Sequence, residues 1–123
     1  MEPAVKNKRG FWIIFFSWIS VICLLSLTPK TGIHLAKGAD KLAHFVFYVP
    51  FGLIGFYHPR RNFRSVLLVS LFGINLGLLL ELLQRSIPGR SCEFKDFLAD
   101  ALGVLTGLCV LGIRELVRRR RET

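Results

Sequence analysis

At 123 residues the chain is about one domain long, and 52% of it is hydrophobic, with eleven Phe, against a formal net charge of +9. So much apolar surface on so short a chain cannot all be buried in a core. This excludes a soluble globule and leaves a membrane protein whose 17 Lys and Arg lie at the bilayer surface.

A basic start, with Lys6, Lys8 and Arg9, leads into an apolar run over 11–27 whose polar interruptions are Ser17, Ser20 and Ser26. The run exceeds a usual signal-peptide core, and Ser26-Leu27-Thr28-Pro29 is a poor cleavage site, so an uncleaved first membrane helix is expected over about 11–28. Residues 29–39 read as a loop by their Pro, Gly and Lys content. A second helix is expected over 40–57, with Pro50 inside it as a tolerated kink. The turn at 58–64 carries Pro59, Asn62, Arg60, Arg61 and Arg64, and a third helix follows over 65–84. Pro88-Gly89 marks a tight turn in the loop at 85–95, before a fourth helix over 94–117 that leaves the membrane at Arg114.

The positive charges then set an orientation. Lys6, Lys8, Arg9, Arg60, Arg61, Arg64, Arg114, Arg118, Arg119, Arg120 and Arg121 fall on one side, eleven in all, against six on the other: Lys30, Lys37, Lys41, Arg85, Arg90 and Lys95. By the positive-inside rule both termini are cytoplasmic, and the loops before the second and fourth helices face outward. The expected fold is all-α, a single domain over 1–123 forming a four-helix transmembrane bundle with short connections. The terminal Arg run reads as topology and a lipid anchor rather than a nucleic-acid site, since no aromatic interleaving or DNA-reading motif accompanies it.

Asp40, His44, Tyr48 and Gly52 recur every four residues and so share one side of the second helix. Gly73, Gly77 and Glu81 do the same on the third, and Asp96, Asp100, Gly103 and Gly107, four, three and four apart, share one side of the fourth. Small residues let membrane helices approach closely, so these faces should turn toward one another and bring the ionisable groups together. All of those groups lie within roughly 10 Å of the outer boundary at the helical rise. A polar pocket is therefore expected there, built from Asp40, His44, Tyr48, Glu81, Gln84, Asp96 and Asp100 and fringed by Lys41, Arg85, Arg90 and Lys95. Asn75, mid-helix and on another face, reads as hydrogen-bonding glue between helices, and Asp96 taken alone is as well explained by a helix cap.

The order Asp40-Lys41-x-x-His44-Phe45-x-x-Tyr48, Glu81-x-x-Gln84, Arg90 and Asp96-x-x-x-Asp100-x-x-Gly103-x-x-x-Gly107 resembles the VanZ-like family of small bacterial membrane proteins, over about residues 10–115. That family usually carries Asn at the position of Asp100, so this chain adds a negative charge there. The resemblance implies a multi-pass integral protein of the bacterial inner membrane and cell envelope, in a family whose founding member is linked to resistance to the glycopeptide teicoplanin.

The residues and the resemblance together suggest a protein that binds or modifies an anionic envelope lipid or lipid-linked cell-wall intermediate at the outer leaflet. Lys41, Arg85 and Arg90 would engage the headgroup. His44, Glu81, Asp96 and Asp100 are the candidate catalytic groups, His44 with a neighbouring carboxylate moving protons. One rival reading is a metal-assisted hydrolase or transferase with His44, Glu81 and Asp96 as ligands. However, Cys23, Cys92 and Cys109 lack metal-ligand spacing and no HExxH motif is present, so no resident metal or cofactor is expected. A third is a structural subunit that steadies an envelope protein partner.

Overall fold

The computed structural model describes residues 8–29, 38–60 and 62–123. Within them the chain forms four helices and no strand: α1 (Lys8–Leu27), α2 (Ala39–Ile54), α3 (Phe63–Gln84) and α4 (Phe94–Glu122), with a 3-10 turn at Gly55–Tyr57 extending α2. Lys30 and Lys37 of the expected loop, the N-terminal Lys6 and the turn residue Arg61 lie outside the described residues.

Local chemistry sets the helix ends. The Asn62 side chain accepts a hydrogen bond from the Ser65 N–H at 2.8 Å, satisfying a free donor of the first turn, so α3 begins at Phe63 rather than at 65. After Gln84, backbone bonds from Ser86, Ile87 and Arg90 tighten into successive turns, and Gly89 takes a φ of +76° that a Cβ would disfavour. Pro50 lies inside α2 without ending it. At the C-terminus the expected stop at 117 is overtaken, because Glu115 pairs with Arg118 at 2.7 Å and with Arg119 at 3.2 Å, one turn further on. These i,i+3 and i,i+4 partners carry α4 through the whole basic run.

Contacts at the two ends establish an up-and-down order. The Phe11 ring near the start of α1 lies 5.0 Å from His58 in the turn between α2 and α3. At the opposite end, Arg90 from the loop between α3 and α4 reaches the last carbonyls of α1, and the start of α2 meets the end of α3 and the start of α4.

α1, α3 and α4 are each long and apolar enough to cross a membrane. α2, at 16 residues, spans about 24 Å by the helical rise and packs most extensively on α4. That packing requires glycine. A Cβ on Gly107 would sit 2.3 Å from the Val49 carbonyl oxygen, and one on Gly103 would sit 2.3 Å from that of Phe45, so the two backbones touch where side chains would hold them apart. Phe11, Phe15, Phe51, Val69 and Leu80 form a core beside this seam, and the Trp18 indole donates to the Phe47 carbonyl at 3.0 Å. Outside it, Ile13, Phe16, Leu24, Leu68, Leu79, Leu102 and Ile113 stand exposed, a surface suited to lipid rather than water. Asn75 is among the outward residues and donates to the Leu71 carbonyl of its own helix at 2.7 Å, so it does not bridge helices as expected.

Candidate functional site

The α2–α4 seam delivers His44 of α2 into a gap lined by acids from two other helices. Its Nδ1 lies 2.8 Å from Asp100 Oδ1, across 56 residues of sequence. Its Nε2 faces Glu81 Oε1 at 3.7 Å and Asp96 Oδ2 at 3.9 Å. The three acids are 1–3% exposed, which removes them from solvent almost entirely. Asp100 gains its room from Gly77, where a Cβ would fall 2.8 Å from Oδ2. The small residues thus serve the acid directly, as well as the helix contact.

Burial leaves this group short of partners. Glu81 Oε1, Asp96 Oδ1 and Asp100 Oδ2 are buried with no hydrogen bond among the described residues. A buried carboxylate oxygen without a donor is costly, and in a low-dielectric setting such groups are functional candidates by default. Asp96 is thus committed to the cluster through its side chain and is not a cap. Asp40, half-buried one turn before His44, belongs to the same assembly, with ligand atoms of Asp40, His44 and Asp96 within 4.8 Å of one another.

Lys41 closes the outer side. Its ammonium sits 2.9 Å from Glu93 and 3.5 Å from Asp96, and the hydrogen bond to Lys41 holds the exposed Glu93 carboxyl below its ordinary range. The Glu93 N–H in turn donates to Glu81 Oε2 at 3.3 Å, so the entry to α4 fixes the end of α3. Periodicity did not single out Glu93, which precedes α4 and shares no helical face. Its spacing of three from Asp96 was the available signal.

Two expected site residues point elsewhere. Gln84 donates to the Ser26 carbonyl at 3.0 Å, and Arg90 donates through Nε to the Thr28 carbonyl at 3.1 Å and through its terminal nitrogen to that of Leu25. The last turn of α1 leaves carbonyls without intrahelical donors, and these two side chains supply them. They fasten α1 and do not face His44. Tyr48 lies one turn deeper than His44, its buried ring packed on Phe51 with centroids 5.6 Å apart. Arg85 and Lys95 are exposed at this end, as a fringe requires.

A family model described as VanZ/LLP1 matches residues 3–115. The chain belongs to the VanZ/LLP1 family. No curated protein and no solved structure matches it. The VanZ/LLP1 match spans all four helices of the bundle except the final turns of α4, and it agrees with a membrane protein built on apolar helices. It therefore covers every residue of the histidine–carboxylate cluster.

Proposed function

We propose that this VanZ/LLP1 protein is a multi-pass inner-membrane protein with cytoplasmic termini. Its histidine–carboxylate cluster binds or modifies a phosphate-bearing envelope lipid or lipid-linked cell-wall intermediate at the outer leaflet. The observation that carries the reading is the Asp100–His44 bond: a buried carboxylate fixes one ring nitrogen and leaves Nε2 turned to two further acids. An imidazole so held is oriented for proton transfer to or from a bound group.

The cations are redistributed by the fold. Arg90 is committed to α1, which leaves Arg85, Lys95 and Lys41 as the headgroup contacts at the rim. Lys41 would exchange part of its pairing with Glu93 for an incoming phosphate, a modest loss because that pair is solvent-exposed. Handling of a cell-wall precursor lipid would also connect this chain to glycopeptide susceptibility, teicoplanin included.

Native mass spectrometry of the protein extracted with its lipids tests the proposal. The unaltered chain is expected to carry a phosphate-bearing lipid that Arg85→Ala together with Lys95→Ala depletes, while Arg114→Ala, at the other end of α4, leaves it in place. Equal lipid retention by all three proteins would remove the basis for an outer-leaflet headgroup site.

A further inference from the structure

The cluster has the form of a cation site that no linear motif announces. Ligand atoms of His44, Glu81 and Asp100 lie within 4.8 Å of one another, and His44 is shared with a second such group containing Asp40 and Asp96. His44 is the common vertex, and its two nitrogens have different surroundings. Nδ1 is engaged at hydrogen-bond length by Asp100, whereas Nε2 stands 3.7 and 3.9 Å from Glu81 and Asp96, too far for hydrogen bonds. Bonds of about 2.1 Å from one ion reach up to about 4.2 Å between two ligands, so the 2.8 Å gap from His44 to Asp100 and the 3.7 Å gap from His44 to Glu81 are of a size that an ion spans.

A second observation points into the same space. Glu81, 2% exposed, turns its unpartnered Oε1 toward Nε2, and Asp100, 1% exposed, keeps its Oδ2 unpartnered while Oδ1 meets Nδ1.

We infer that His44, Glu81 and Asp100, whose ligand atoms lie within 4.8 Å of one another, form a divalent transition-metal site. One imidazole and two carboxylates suit Zn2+ and Mn2+, and they leave coordination positions for water or a substrate oxygen. The His44 side chain keeps 11% exposure, so the centre is within reach from the surface. The site deepens the lipid reading, since a bound dication is a natural partner for a phosphate, yet it stands without any lipid.

Equilibrium dialysis of the full chain in detergent, with any affinity tag removed, against Zn2+ and separately Mn2+ provides the test. Saturable uptake of a single equivalent is expected, lost in His44→Ala and in Glu81→Gln and retained in Arg85→Ala. Asp100→Ala should abolish it as well. Glu81→Gln keeps the acceptor used by the Glu93 N–H, so it decides the matter if His44→Ala fails to fold. No saturable uptake of either ion, or uptake that both substitutions leave unchanged, would overturn the site. Metal uptake without lipid retention would keep the cation site and remove the lipid reading, and lipid retention without metal would do the reverse.

Discussion

The His44 cluster places groups where stability alone would not put them. Glu81 Oε1 is buried without a donor and faces two more acids across the imidazole. Replacing it by an amide removes the ionisable group from this buried position, while the oxygen still accepts from the Glu93 N–H. Glu81→Gln is therefore expected to raise the stability of the metal-free protein by about 1 kcal/mol, read as a higher unfolding midpoint in detergent with chelator. A lower midpoint would show that the carboxylate is already satisfied. The residue identities of this cluster were legible because Asp40, His44, Glu81, Asp96 and Asp100 stand out in apolar helices. The roles of Gln84 and Arg90 were not, because a donor near a loop is equally placed for a ligand and for the open carbonyls of a neighbouring helix.

At the scale of helices, the glycine seam decides how deeply α2 and α4 interlock. Gly107 offers a sharp comparison with Gly112, five residues on, where a Cβ would meet nothing within 4 Å. Gly107→Ala must push its methyl into the Val49 backbone and is expected to cost about 1–3 kcal/mol, whereas Gly112→Ala should be neutral or stabilise α4 by up to about 1 kcal/mol. Equal midpoints for the two variants in detergent unfolding would mean that the helices do not touch there. The four-residue spacing of small residues made this seam readable in advance, although it could not show which partner each face would meet. The extension of α4 to Glu122 was missed because the run of arginines reads as a membrane exit. Its continued helicity depends on Glu115 and Glu122 pairing with Arg118 and Arg119, which stand one turn away.

For the whole molecule, the element order was carried by the alternation of apolar runs and charged turns. The convergence of three helices on one imidazole was only implied by shared faces, because sequence spacing is silent on distances between helices. Orientation has its own check. Cys92 is exposed in the loop between α3 and α4, whereas Cys23 and Cys109 lie within helices α1 and α4. A membrane-impermeant thiol reagent should label intact spheroplasts at Cys92, with the signal lost in Cys92→Ser. Labelling that appears only after permeabilisation would place this loop, and the cluster beside it, in the cytoplasm. The convergence itself is tested most directly by a double-mutant cycle on unfolding free energy in detergent, using His44→Ala, Asp100→Ala and the pair. Groups bonded at 2.8 Å should couple by at least about 1 kcal/mol. Additivity within about 0.5 kcal/mol would contradict it, because residues that never meet have no shared energy to lose.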